Sequence, residues 1–157
     1  MPPLYLGDIA PGDTFESEAH EMTQEAIIAF AEAFDPQPFH TDPVAAKDSF
    51  FGQLVASGWH TAAVTMRLMA ASVPFAHGVI GGGGNLRWPA PVVPGDRLRL
   101  VTRIETVERS ATRPGRAKLT ALCRTIDQHG AEKQVFRPGL LAWDRGYGPK
   151  VHSEESA

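Results

Sequence analysis

The C-terminal half of the chain alternates apolar and polar residues, which constrains the fold more than any other feature. In residues 97–105, Leu98, Leu100 and Ile104 fall on one side, and arginines fall on the other. This period of two is typical of a β-strand with one buried face. Strands that follow one another without intervening helices predict an antiparallel sheet. Three further segments are predicted strands of this sheet: 79–88, 117–126 and 134–143.

The N-terminal half predicts a short strand over 14–22 and then two helices. Thr23 can cap a first helix in which Ile27, Ala31 and Phe34 recur at helical spacing. A second helix, 59–71, is apolar on most sides, which indicates a helix enclosed by other elements. One sheet wrapped around this apolar helix satisfies both patterns. The fold class is therefore predicted to be α+β.

Length and composition predict one domain of an ordinary globular protein. The chain has 157 residues, a net charge of -3 and a pI near 6.0, so its overall charge does not attract nucleic acid. Cys123 is the only cysteine, which excludes an intrachain disulfide and favours a reducing compartment. No stretch approaches the roughly 20 apolar residues of a membrane helix. We expect a cytoplasmic protein with a domain over 1–149 and a polar, disordered tail over 150–157.

The segment Phe34–Pro43 combines two acids, a histidine and three prolines where the first helix ends. Pro36 and Pro38 end the helix near Asp35, because proline lacks an N–H group and restricts the residue before it. On a continuous helix, Asp35 and His40 would lie about 140° apart and would not meet. We therefore predict that the segment is a stiff, non-helical loop in which the two side chains converge.

Three motifs carry a resemblance to a known family. They are FDPQPFHTDP at 34–43, VASGW at 55–59 and PVVPGD at 91–96. In this order the chain resembles the MaoC-like acyl dehydratases, which include the R-specific enoyl-CoA hydratases and have the hot-dog fold. The resemblance extends from about Gly12 to Trp143. Two positions depart from the usual family pattern: Gln37 stands in place of asparagine and Ser57 in place of histidine.

The resemblance implies reversible hydration of a 2-enoyl thioester to a 3-hydroxyacyl thioester. Asp35 and His40 would activate water, and the backbone N–H of Gly58 would polarise the thioester carbonyl. Which of the two side chains protonates the α carbon stays open. Gln37, Ser57 and Trp59 are predicted to bind the substrate.

The same resemblance implies the partners and cofactors of the protein. The substrate would be an acyl-CoA or acyl-carrier thioester, with coenzyme A present only as part of the substrate. No metal or redox cofactor is implied, and neither is a nucleic-acid or membrane partner. A single hot-dog sheet leaves a strand edge open, so we expect a homodimer or a dimer of dimers. Two other functions remain open: a hot-dog acyl-CoA thioesterase, and a non-catalytic acyl-CoA-binding or structural subunit.

Several other residues have simpler structural interpretations. Asp42 is predicted to cap the turn at Pro43, and His60 to be a packed histidine. The glycine run 81–84 lacks a phosphate-loop pattern and indicates a strand edge where backbones approach closely. Three tryptophans are predicted core or interface aromatics: Trp59, Trp88 and Trp143. For Trp88 the alternative is a position that lines an acyl tunnel. Six arginines are either a solvated strand face or a site for the coenzyme A phosphates: Arg97, Arg99, Arg103, Arg109, Arg113 and Arg116.

Overall fold

The computed structural model describes residues 1–149, and the tail predicted for 150–157 lies outside the described residues. Short 3₁₀ turns occur at Leu6–Asp8 and Ala45–Asp48. No helix in the described part of the chain is long and apolar enough to cross a membrane. The other elements, in chain order, are β1 Thr14–Glu16, β2 His20–Glu21, α1 Gln24–Phe34, α2 Pro38–Thr41, α3 Gly58–Ser72, β3 Ile80–Arg87, β4 Arg97–Arg109, β5 Arg116–Ile126 and β6 Glu132–Trp143.

The sheet is antiparallel and has six strands in the order β1-β4-β5-β6-β3, with β2 also paired to β4. Buried and exposed residues alternate along its central strands, as predicted. Leu98, Leu100 and Ile104 on β4 are completely buried, whereas the arginines between them face solvent. The buried side chains of β4 and β5 join those of α3 in one core cluster. The predicted α+β class and the antiparallel sheet are confirmed.

One face of α3 packs on this sheet. Val64, Leu68 and Met69 are buried there, and Ser57 caps the helix by accepting a hydrogen bond from the Trp59 N–H at 3.2 Å. The expectation that the helix is enclosed on most sides is wrong for the opposite face. The sheet covers one side only, and a stripe at helical spacing faces outward: Trp59, Ala63, Met66 and Ala70.

The strand predicted over 14–22 is interrupted. Ser17 takes over both backbone contacts to Leu100: its N–H donates to the Leu100 carbonyl at 3.0 Å, and its hydroxyl accepts from the Leu100 N–H at 2.9 Å. The pairing register with β4 then moves by one residue, from Glu16 opposite Val101 to His20 opposite Leu98. One extra residue in the edge strand therefore divides it into β1 and β2.

The connection after α1 differs from the predicted loop. Thr23 caps the start of α1 by accepting from the Ala26 N–H, and α1 ends with Asp35 as its C-cap, both as predicted. The prediction that the next residues cannot be helical is wrong, because Pro38–Thr41 forms the short helix α2. Pro38 is its first residue, where a missing N–H is harmless and the fixed φ of proline suits a helix.

The glycine run lies on β3, at the open edge of the sheet, as predicted. Here β3 approaches β6 so closely that a Cβ on Gly84 would collide with the carbonyl oxygen of Arg137. The register of the β3–β6 pair is also irregular between Gly81 and Gly84. Glycine at position 84 is therefore required for this backbone contact.

A buried ionic cluster holds β6 against two connections. The ammonium of Lys133 lies 3.2 Å from an Asp96 oxygen and 3.3 Å from an Asp127 oxygen, and it donates to the Pro91 carbonyl at 2.9 Å. Burial raises the pKa of Asp127. The hydrogen bonds from the Ala131 and His129 N–H groups and from Lys133 lower it by more, so the pKa lies below its ordinary value. The cluster fixes the β3–β4 connection and the β5–β6 turn.

We predict that Lys133→Met destabilises the protein by about 3–5 kcal/mol, because it leaves two carboxylates buried without their cation. Urea unfolding at neutral pH measures the loss. Arg99→Met is the control, since it removes the exposed ion pair with Glu16, which is worth about 1 kcal/mol or less. Because folding lowers the pKa of Asp127, its carboxylate stabilises the fold at pH values above 3.8, the ordinary pKa of this group. This contribution is lost as the pH falls through the pKa of Asp127 in the folded protein. A neutral-pH loss no larger than that of the control would contradict the role of the cluster.

Candidate active site

Asp35 and His40 face each other across the turn between α1 and α2. The distance from Asp35 Oδ2 to His40 Nε2 is 3.4 Å, and the two side chains are 19% and 7% exposed. The predicted convergence is therefore present. It arises because α1 ends at Asp35 and α2 turns His40 back toward it, and not from an irregular loop.

The backbone fixes the orientation of the His40 ring. Nδ1 lies 2.7 Å from the carbonyl oxygen of Val55. A carbonyl oxygen can only accept a hydrogen bond, so Nδ1 carries the proton. In the neutral ring, Nε2 then presents a lone pair toward Asp35.

Two neutral side chains donate hydrogen bonds to the Asp35 carboxylate. The Ser57 hydroxyl donates to Oδ2 and the Gln37 amide donates to Oδ1, each at 2.7 Å. Burial raises the pKa of Asp35. The two hydrogen bonds and the charge of a protonated His40 together lower it by more, so the pKa lies below its ordinary value. Asp35 is therefore a carboxylate at neutral pH.

This arrangement changes the predicted role of Ser57. Its side chain is fully buried and does not line the cavity in front of Asp35. The hydroxyl is also engaged on both sides, as a donor to Asp35 and as an acceptor from the Trp59 N–H. Ser57 therefore contacts Asp35 on the side away from the cavity and supports the carboxylate there. Gln37 and Trp59 both line the cavity.

Gly58 is the first residue of α3 and borders the same cavity. Its N–H has no acceptor among residues 1–149, as expected at a helix N-terminus. The Trp88 indole covers its Cα so closely that an added Cβ would lie 2.6–2.8 Å from three ring carbons. Only glycine allows both the ring contact and an exposed amide at this position.

The cavity has a volume of about 520 Å³, and its lining includes five aromatic and two proline side chains. Trp59 and Trp88 meet edge to face at 5.3 Å and are 60% and 41% exposed. Neither is a core residue of the chain, whereas Trp143 is buried as predicted. Further lining residues are Phe39, Phe50, Phe51, Pro89 and Pro91.

The remaining candidates lie outside the cavity. The Asp42 carboxylate accepts from the Val44 N–H at 2.8 Å, which confirms the turn cap. His60 stacks on Phe30 at 4.7 Å, and burial, together with the charge of His20, lowers its pKa. Within residues 1–149, no group of three potential metal ligands is assembled. None of the six arginines lines the cavity, and Arg99 and Arg109 form surface ion pairs with Glu16 and Asp144.

Sequence reasoning missed two residues that reach the site from β6. Lys133 lines the cavity, and Gln134 accepts a hydrogen bond from the Trp88 indole at 2.8 Å. Three consecutive polar residues open β6, and their polarity gives no sign that Lys133 and Gln134 are buried.

Comparison with known proteins gives consistent results. A family model described as "MaoC like domain" matches residues 8–122. The chain is 28% identical to the uncharacterized protein YdeM of Bacillus subtilis over 139 residues, which cover 87% of this chain and 96% of that protein. It is 36% identical to 3-hydroxyacyl-thioester dehydratase Z of Mycobacterium tuberculosis over 97 residues, which cover 59% of this chain and 64% of that protein.

Solved structures agree with this assignment. A MaoC-like dehydratase from Rhodospirillum rubrum superposes with a TM-score of 0.89 at 47% identity, over 90% of this chain and 98% of that one. The unliganded R-hydratase PhaJ1 of Pseudomonas aeruginosa superposes with a TM-score of 0.74 over 96% and 97% of the two chains, and at 19% identity it supports the fold alone. The chain therefore has the hot-dog fold and belongs to the MaoC-like dehydratase family.

Proposed function

We propose that the protein catalyses reversible hydration of a 2-enoyl thioester to a 3-hydroxyacyl thioester. The observation that carries the proposal is the pair of acceptors, Asp35 Oδ2 and His40 Nε2, 3.4 Å apart at a cavity wall. Both atoms accept hydrogen bonds when Asp35 is ionised and His40 is neutral. A water molecule has two hydrogens, so one water beside the pair can donate to both atoms at once. Its oxygen lone pair then faces the cavity.

The proposed reaction adds the elements of water across the C2–C3 double bond. The water oxygen bonds to C3, the electron pair of the double bond moves toward the thioester carbonyl, and a proton is delivered to C2. Asp35 takes the proton from water while His40 orients the water and relays protons. The proton that Asp35 takes from water is returned to C2, either directly or through His40. Dehydration follows the same steps in reverse.

The N–H of Gly58 is suited to stabilise the charge that develops on the thioester oxygen. It lies at the N-terminus of α3, where free N–H groups and the helix dipole favour negative charge. A donor of this kind contributes about 10²–10³ in rate. The reaction needs no metal or redox group, because charge moves only within the conjugated thioester. The cavity's aromatic walls suit an acyl chain, carried by coenzyme A or by an acyl carrier.

We expect Asp35→Asn to lower kcat for hydration of crotonyl-CoA by about 10²–10⁴. The asparagine amide cannot take a proton, and its NH₂ group would donate where an acceptor is needed. Loss of the conjugated enoyl absorbance measures the reaction, and octenoyl and branched enoyl thioesters measure its range. Asp42→Asn is the matched control and should retain activity. Wild-type rates in Asp35→Asn would exclude this chemistry.

The same samples separate the other two functions. A thioesterase would release free thiol from the acyl-CoA, which a thiol reagent detects independently of the enoyl absorbance. A non-catalytic acyl-binding protein would bind acyl-CoA without consuming the enoyl group at any chain length. Either result would replace hydration as the assigned function.

Ser57→Ala should raise the pKa of Asp35, which carbon-13 NMR of the side-chain carboxyl group measures. Loss of the Ser57 donor removes a hydrogen bond that lowers this pKa, so the pKa moves toward its ordinary value. At neutral pH we expect a loss of kcat/KM on the order of 10-fold, because the carboxylate is less firmly oriented. Gln37→Ala removes the other donor and should shift the pKa of Asp35 in the same direction. An Asp35 pKa that is unchanged in both variants would refute this role of the two donors.

A homodimer fits the exposed parts of the chain. The β3 edge is unpaired within residues 1–149, and the outward stripe of α3 exposes Trp59 and Met66. Edge-to-edge pairing of two β3 strands would satisfy backbone groups, and contact of the stripe with the partner would bury its apolar side chains. Light scattering should therefore give twice the chain mass of 17.0 kDa, or a further doubling for a dimer of dimers. Met66→Glu should reduce the mass toward that of one chain, and a wild-type monomer would exclude the dimer.

A further inference from the structure

A partly buried hydrogen bond holds the Trp88 ring at the cavity. Its indole N–H donates to the side-chain oxygen of Gln134 at 2.8 Å. Gln134 lies on β6 and is 1% exposed, whereas Trp88 is 41% exposed. A buried amide is costly unless it is hydrogen-bonded, so this contact strongly favours one position of the ring.

The fixed ring lies against the residue proposed to bind the thioester oxygen. Three indole carbons occupy the space where a Gly58 side chain would be, and the ring also meets the edge of Trp59 at 5.3 Å. Trp88 and Gly58 also line the same cavity, so the position of the ring limits the room beside Gly58. A substrate group must fit this space before its carbonyl can reach the amide.

The rest of this wall is held from the same strand. Lys133, the residue before Gln134, donates to the Pro91 carbonyl at 2.9 Å. Two adjacent residues of β6 thus hold the wall formed by residues 88–92. The Trp88 contact is the one nearest to Gly58.

We infer that Gln134 is a positioning residue that acts through Trp88 to hold the cavity wall beside Gly58, so that Trp88 selects against acyl groups branched next to the thioester. The inference rests on the proposed function, because it assumes that the thioester carbonyl binds at Gly58. A ring held by one hydrogen bond keeps the space narrow. Once the bond is removed, the ring can tilt, the space widens, and unbranched groups lose contacts.

A double-mutant cycle tests the inference, using Gln134→Leu, Trp88→Phe and the double variant. Each single change removes the same hydrogen bond, and phenylalanine keeps a ring over Gly58. Binding is measured by calorimetry with butyryl-CoA and 2-methylbutyryl-CoA, which cannot be hydrated. Kinetics are measured with crotonyl-CoA and its 2-methyl derivative.

We expect each single variant to bind butyryl-CoA about 10-fold more weakly and the branched ligand with little change. The double variant should lose no more than either single variant, because both remove one interaction. In kinetics the loss should appear mainly in KM, with the pH profile unchanged. Losses that add in the double variant, or wild-type selectivity in the single variants, would overturn the inference.

Thr65→Val is the matched control for a general structural effect. It removes another buried side-chain hydrogen bond, between Thr65 and Thr125 at 2.7 Å, without touching Trp88. It should lower the melting temperature while leaving selectivity unchanged. If Gln134→Leu does not fold, Trp88→Phe still removes the hydrogen bond, because it changes the partly exposed partner. Wild-type selectivity in Trp88→Phe would then overturn the inference. Coupled binding losses without hydration of crotonyl-CoA would support the positioning role and reject the proposed reaction.

Discussion

The hydrogen bond from Ser57 to Asp35 joins the two helices on which the candidate site is built. Asp35 ends α1 and Ser57 begins α3, so one contact of 2.7 Å connects the carboxylate to the helix whose first amide is that of Gly58. The hydroxyl also caps α3 by accepting from the Trp59 N–H. One oxygen atom therefore contributes both to the start of α3 and to the low pKa of Asp35.

The departures at Gln37 and Ser57 have a common physical result. Both side chains are neutral donors, and each binds a different oxygen of Asp35. Neutral donors favour the charged carboxylate without introducing another group that titrates near neutral pH. His40 is then the remaining titratable partner of Asp35, and its Nδ1 is bound to the Val55 carbonyl. The Val55 carbonyl thus orients His40, and the Ser57 and Gln37 donors orient Asp35.

Local rules were sufficient for most of the fold. Alternation located the long strands, because one face of each is buried and the other is not, and Thr23 and Ser57 cap the helices they precede. The rules failed where tertiary contacts decided the outcome. Ser17 divides the first strand by bonding to Leu100, a residue distant in sequence. The helical turn at Pro38 was missed because proline was treated as a helix breaker without regard to its position in the helix.

The candidate site was predictable in its residues but not in its contacts. Spacing and motif located Asp35, His40 and Gly58, whereas the partners of Ser57 and Trp88 lie 22 and 46 residues away in sequence. Gln134 shows why such partners escape a pattern of apolar and polar residues. The pattern treats a polar residue in a buried strand as an irregularity. The burial of Gln134 is tolerated because its side-chain oxygen accepts the hydrogen bond from the Trp88 indole. In this chain the buried polar side chains of β6 are therefore the residues that connect the sheet to the cavity wall.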